Sequence, residues 1–267
     1  MEYLINYYSS HDEEGRLLSR HGQVEFLTTM RYVEKYLFPG ARILEIGAGT
    51  GRYSHALAQK GYAVDAVELL EHNIGVFKSN TTPEEAITIR QGDARDLSAF
   101  ANDTYDTTLV LGPLYHMYTQ EDKRQTIREA LRVTKPGGIV FAAYCIADAS
   151  LFDYGFRKGH ILELMKADGI CGITMPGFKA YSTPEALFEL VRKEDIDEMM
   201  NGFPVARLHY VAADMLINMM GETVDAMDDA TFELYLQYHW FLCERPDMVG
   251  LTCHSLDIFR KNKDSGV

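Results

Sequence analysis

Two hydrophobic periods alternate along the first half of the chain. Phe26, Met30, Val33 and Leu37 recur at three- to four-residue spacing, which predicts a helix over Gln23 to Leu37 that Phe38-Pro39-Gly40 ends. From Arg42, short apolar runs take turns with helical segments. Strands are predicted at Arg42 to Ile46, Ala63 to Glu68, Ile87 to Gln91 and Tyr105 to Leu111, with helices at Arg52 to Lys60 and Glu71 to Ser79. Gly61 stands where a helix C-terminal cap belongs, and Thr119-Gln-Glu-Asp122 has the capping-box pattern ahead of a helix carried by Ile127 and Leu131. Lys135-Pro136-Gly137-Gly138 reads as a turn before a buried strand from Ile139 to Cys145. The alternation predicts an α/β fold with a doubly wound, mostly parallel sheet and right-handed crossovers.

The rhythm breaks after Ile146. Asp148 to Lys166 looks mixed and helical, Ala167 to Ala180 reads as glycine-rich loop, and Ser182-Thr-Pro-Glu185 predicts a helix running to about Lys193. A strand is expected over Ala206 to Ala212. Asp229 to Glu244 is apolar on nearly all sides and predicts a helix buried between layers. His254 to Phe259 finishes the sheet, and Lys261 to Val267 reads as a fraying polar tail. Ahead of the first strand, Tyr3, Tyr7 and Tyr8 and a short helix over Arg16 to Arg20 suggest a lid. The chain therefore divides into a lid (1–38), a cofactor-binding core (39–147), a cap insertion (148–205) and C-terminal strands with a helix that complete the core (206–262).

Composition narrows the class. The 267 residues, 46% hydrophobic and 24% charged, are ordinary for a globular protein with a full core. The N-terminus lacks the basic and apolar regions of a secretory signal, so a cytoplasmic protein is expected. Cys145, Cys171, Cys243 and Cys253 show no Cys-x-x-Cys spacing, which argues against disulfide and zinc frameworks. A net charge of -13 disfavours binding to a phosphate backbone.

The candidate chemistry starts at Ile43 to Gly51. A dinucleotide turn wants Gly-x-Gly-x-x-Gly, yet counting from Gly47 the third position is Arg52, and the glycines here are Gly47, Gly49 and Gly51. Glu45 stands two residues before them. A carboxylate there accepts hydrogen bonds from an ammonium or from the turn's amides and repels a pyrophosphate, so the turn suits a zwitterion. Glu45-Ile-Gly-Ala-Gly-Thr-Gly51 resembles motif I of the class I S-adenosylmethionine-dependent methyltransferases. Glu68, Gly92-Asp93-Ala94 and Lys135-Pro-Gly-Gly138 follow in that family's order. The resemblance, spanning roughly Phe38 to Cys145, implies a Rossmann-like sheet of seven strands and S-adenosylmethionine as cofactor, with S-adenosylhomocysteine as product. It implies that Glu68 holds the ribose hydroxyls and Asp93 lies near the adenine amine. It assigns to the cofactor Glu45, Gly47, Ala48, Gly49, Gly51, Tyr53, Glu68, Leu69, Asp93, Ala94 and Leu111, with Tyr8 and Arg16 closing over its methionine end.

In an open parallel sheet the ligand crevice lies beyond the carboxyl ends of the strands. The fourth strand exits into Gly112-Pro-Leu-Tyr-His116, a segment that also resembles a small-molecule subset of this family. Methyl transfer demands proximity, alignment and exclusion of water, and needs a base only for a protonated acceptor. His116 is the candidate base, with a backbone-bonded structural histidine as the alternative. Tyr115 and Tyr118 are candidates to orient the acceptor, with packing alone as the alternative; Asp214 is placed to reach the pocket, His21 and His239 are weaker candidates, and Tyr7 joins Tyr8 and Arg16 over the methionine end of the cofactor. The loop lacks the Asp and Asn cluster of magnesium-dependent relatives, so no metal is expected, and it lacks the Asn of the amide-methylating Asn-Pro-Pro-Tyr motif. The expected function is methyl transfer to N or O of a small molecule. The alternatives are an RNA-modifying methyltransferase and a non-catalytic cofactor-binding module.

Overall fold

A computed structural model describes residues 2–10, 19–166 and 169–263. Helix α1 (Glu2–Ser10) precedes α2 (Arg20–Tyr36), which begins three residues earlier than its apolar spacing predicts because the Ser19 hydroxyl caps it, accepting from the Gly22 amide. Arg16 and most of the predicted short helix lie outside the described residues.

Strand β1 (Arg42–Ile46), α3 (Arg52–Gln59), β2 (Ala63–Glu68), α4 (Glu71–Asn80), β3 (Ile87–Gln91) and β4 (Tyr105–Val110) follow the predicted order. Helix α5 (Gln120–Val133) is capped by Thr119, whose hydroxyl accepts from the Asp122 amide. It leads into β5 (Thr134–Ile146), in which Lys135 to Gly138 form an irregularity rather than a separate turn. The pairing with β4 shifts register between Tyr105 and Thr107, and Gly137 takes a positive φ of 82°.

The sheet runs β3-β2-β1-β4-β5-β10-β9, with β9 spanning Val205–Ala212 and β10 spanning His254–Lys261; a short β8 (Leu190–Val191) pairs with the end of β5 as an eighth strand. In this sheet β10 is reversed, pairing antiparallel with both β5 and β9. Alternation along the strands sends side chains to two cores. Leu44, Val140 and Ala142 pack with Ile127 and Leu131 of α5, whereas Ile43, Leu109, Phe141 and Ile258 pack with Met30 and Val33 of α2 and Leu57 of α3. No helix among the described residues is long and apolar enough to cross a membrane.

The second half departs from its local pattern in four places. Residues 171–182 form a hairpin, β6 (Cys171–Thr174) with β7 (Lys179–Ser182), where loop was expected; the Arg192 guanidinium secures its tip by donating to the Gly177 and Phe178 carbonyls while pairing with Asp148. The helix predicted from Ser182 is only a single turn at Pro184–Ala186. Leu187 takes a φ of 70°, and its carbonyl accepts from His116 Nδ1 (2.6 Å) and Tyr118 Oη (2.8 Å). The Glu189 amide donates to the Tyr115 carbonyl, so the chain is drawn into β8 and turns helical only at α6 (Lys193–Met200).

Helix α7 (Ile217–Asp225) and α8 (Asp229–Leu242) pack on α2, but α8 is not buried between layers. Phe232, Leu236 and His239 face inward, and Leu234, Tyr238 and Phe241 are each more than 60% exposed. Finally, Lys261 does not belong to a tail: buried at the end of β10, its Nζ donates to Asp103 and to the Thr134 carbonyl.

Candidate functional site

One cavity of about 670 Å³ opens at the carboxyl ends of the parallel strands. The glycine turn forms one wall. Gly47 (φ 76°) leaves the room that Pro113 fills, since a Cβ there would lie 2.5 Å from the proline ring. Gly49 (φ 55°) faces open space. Gly51 does not line the cavity; it heads α3 in a left-handed conformation and lets Phe77 and His55 approach within 2.7 Å of where a Cβ would sit.

The carboxylates on this wall divide their tasks. Glu68, at the end of β2, accepts from the Gly49 amide (2.9 Å), the Leu70 amide (2.9 Å) and Asn73 Nδ2 (3.2 Å). The turn's amide therefore goes to Glu68, not to Glu45. Glu45 is buried and accepts instead from the Ser54 hydroxyl of α3. Burial raises its pKa to about 8, assisted by the charge of Glu68 and opposed by Ser54. Asp93 carries the Arg95 guanidinium on both oxygens, and that hydrogen-bonded pair holds its pKa below the usual carboxylate range. Ala48, Tyr53, Leu69, Ala94 and Leu111 also line the space.

The opposite half is aromatic. Tyr7 of α1 packs edge-on against Tyr8 (5.1 Å) and Phe188 (5.5 Å), and His116 lies 5.3 Å from Phe188. His116 Nδ1 meets the Leu187 carbonyl and therefore bears the proton in the neutral ring, leaving Nε2 to accept from Tyr8 Oη at 2.9 Å. Tyr115 and Tyr118 stand on the same loop and line the cavity, and burial raises the Tyr118 pKa to about 12, so it remains a neutral donor. Helix α1 thus touches the fourth-strand loop directly.

The structure separates the weaker candidates. His21 pairs with Asp225 on the outside, and His239 is buried in α8, where desolvation lowers its pKa to about 4; neither lines the cavity. Asp214 is buried behind the cavity and binds His254. Asn73, Glu25 and His254 were not among the residues singled out in the sequence. Asn73 carried a signal, since it lies five residues beyond Glu68 and in the first turn of α4; Glu25 and His254 carried none, because only the fold joins α2 to β10.

Positive-φ glycines with open space above Gly49, a carboxylate at the end of β2 and a buried carboxylate beside the turn fit an adenosine joined to an amino acid. Comparison with known proteins agrees. Residues 44–142 match the family described as methyltransferase domain. A putative methyltransferase, YqeM, from Bacillus subtilis is 28% identical over 41% of this chain and 44% of its own length. Glycine/sarcosine N-methyltransferase from Aphanothece halophytica is 26% identical over 59% of this chain and 55% of its own. The chain thus spans about half the length of the curated relatives it matches. Among solved structures, a SAM-dependent methyltransferase from Methanosarcina mazei superposes with a TM-score of 0.57 at 16% identity, covering 86% of this chain and 97% of that one, which is a likeness of fold. Residues 44–142 thus carry a methyltransferase domain, on a fold shared with S-adenosylmethionine-dependent methyltransferases, and S-adenosylmethionine is the cofactor these likenesses imply.

Proposed function

We propose that this protein transfers a methyl group to N or O of a small molecule. The observation that carries the reading is the continuity of the cavity: the polar glycine-turn wall and the aromatic, lid-covered half share one space, so a cofactor and an acceptor can meet with water excluded. S-adenosylmethionine, when bound, supplies the electrophilic methyl group. Gly47 to Gly49, Glu68 and Asp93 would hold its adenosine, Glu45 its ammonium group, and Tyr7 and Tyr8 would cover the acceptor. His116 would take up the acceptor's proton by way of Tyr8. The tyrosine oxygen receives that proton while its own hydroxyl proton moves to His116 Nε2, and the Leu187 carbonyl holds the resulting imidazolium.

The test is isothermal titration with S-adenosylmethionine, followed by transfer of a labelled methyl group to a panel of phenols and amines. Absence of cofactor binding would remove the reading. Binding without transfer to any acceptor, under conditions where a relative turns over, would leave a cofactor-binding module. RNA as acceptor would require salt-dependent RNA affinity.

A further inference from the structure

A second histidine stands in the cavity, on an element the proposed chemistry does not use. His254 opens β10, in register with Cys145 at the end of β5, and its ring lies 5.7 Å from that of Tyr115. It therefore sits beyond the carboxyl ends of β4 and β5, on the acceptor side. Its Nδ1 is 2.6 Å from Asp214 Oδ2 and 3.6 Å from Glu25 Oε2.

Asp214 is 2% exposed, and its other oxygen accepts from the Thr252 hydroxyl (2.6 Å), the Cys253 amide (2.9 Å) and the His254 amide (3.0 Å). A carboxylate that takes donors on both oxygens is set as an anion in one orientation, and it fixes a proton on His254 Nδ1. Burial of His254 opposes its charge, but Glu25 and Asp214 outweigh that and hold the imidazole well above its usual range. Nε2 has no hydrogen bond to a described residue, and the side chain is 21% exposed on the cavity wall.

The ligand atoms of Glu25, Asp214 and His254 lie within 4.8 Å of one another, a spacing a divalent cation could use. The donors on Asp214 argue otherwise, because a cation there would have to displace the His254 Nδ1 proton and compete with three further donors on the same carboxylate.

We infer that His254, fixed by Asp214, presents Nε2–H to the cavity as the group that recognises an acidic oxygen, phenolate or carboxylate, on an aromatic methyl acceptor. The aromatic walls select the flat body, and the imidazolium selects the oxygen. Asp214 acts as a positioning residue. This inference rests on the proposed methyl-transfer reading of the same cavity.

The probe is 4-nitrophenol, whose ionisation is visible in its absorbance, added to the protein saturated with sinefungin, a cofactor analogue that keeps a positive charge at the methyl position. The expected result is a bound phenol whose apparent acid dissociation constant is at least tenfold larger than that of the free probe, competed by benzoate if the site also accepts carboxylates. His254→Asn keeps a donor toward Asp214 and removes the nitrogen facing the cavity. It should cut the gain in acidity severalfold, the sinefungin charge sustaining the remainder, while leaving sinefungin affinity within about twofold; if that variant does not bind sinefungin, His254→Gln takes its place. An unshifted probe in the wild-type protein, or an unchanged shift in the variant, would overturn the inference. So would Mn²⁺ binding that requires Glu25, Asp214 and His254, which would make the cluster a metal site. Failure of sinefungin to bind the wild-type protein would count against the methyl-transfer reading instead.

Discussion

Glu68 and Glu45 show how two carboxylates on one wall come to behave differently. Glu68 draws donors from three residues and Glu45 from Ser54 alone, so the first is a prepared acceptor and the second a reluctant anion. Glu68→Ala leaves the Gly49 and Leu70 amides and Asn73 without their carboxylate. Titration calorimetry should show cofactor affinity weakened by about 1.5–3 kcal/mol; unchanged affinity would move the ribose contact elsewhere. The raised pKa of Glu45 carries a sign. The folded protein binds that proton more tightly than the unfolded chain, so the stabilisation it brings is complete below the ordinary value of 4.5 and is lost as pH rises toward about 8. Thermal unfolding of the ligand-free protein should therefore find Glu45→Gln more stable than wild type at pH 8.5, with the gap shrinking toward pH 5. An identical gap at both pH values would mean that Glu45 ionises normally.

Secondary-structure elements were legible where local chemistry and packing agree. Thr119 caps α5 as its sequence predicts, and Thr119→Ala should cost about 1 kcal/mol in denaturant unfolding, because the Asp122 amide loses its acceptor; a neutral substitution would mean that water replaces it fully. Ser182-Thr-Pro-Glu185 has an equally good helix signal and forms one turn. Its fate is decided by His116 and Tyr118, more than sixty residues earlier, whose side chains compete for the Leu187 carbonyl. No local pattern contains that information. The same holds for α8, whose all-round apolar sequence suggests burial that only one stripe of it receives, against α2 and α7. The glycine turn, Glu68 and Asp93 lie in one contiguous βαβ region and could be read as a set, while Glu25 and His254, 229 positions apart by their numbers, meet only in the fold.

At the scale of the molecule, α1 and the loop after β4 form one contact system. Tyr8 belongs to α1 and His116 to the loop after β4, and their hydrogen bond spans 108 residues of sequence. If the pair acts as the proton path, His116→Ala should slow turnover on the order of 10²–10⁴-fold while cofactor affinity holds, because its ring nitrogens go to Tyr8 and the Leu187 carbonyl. Tyr8→Phe should slow turnover as well, and additionally raise KM by loosening the lid. Equal losses of turnover and cofactor binding in His116→Ala would recast the residue as a structural bolt between the loop and Leu187.

The position of β10 has a consequence for biosynthesis. It is the last strand among the described residues but an internal one in the sheet, hydrogen-bonded on both sides, to β5 and to β9. While the chain is still on the ribosome, β5 offers an unpaired edge of apolar residues, and β9 has no neighbour to lie against. The parallel half can assemble early, yet the sheet cannot close until residues 254 to 261 have been synthesised, and the nascent protein must be kept from pairing its open edge with another chain during that interval. His254 sits at the first position of that strand and lines the cavity, so the cavity gains this part of its wall in the same event that seals the sheet.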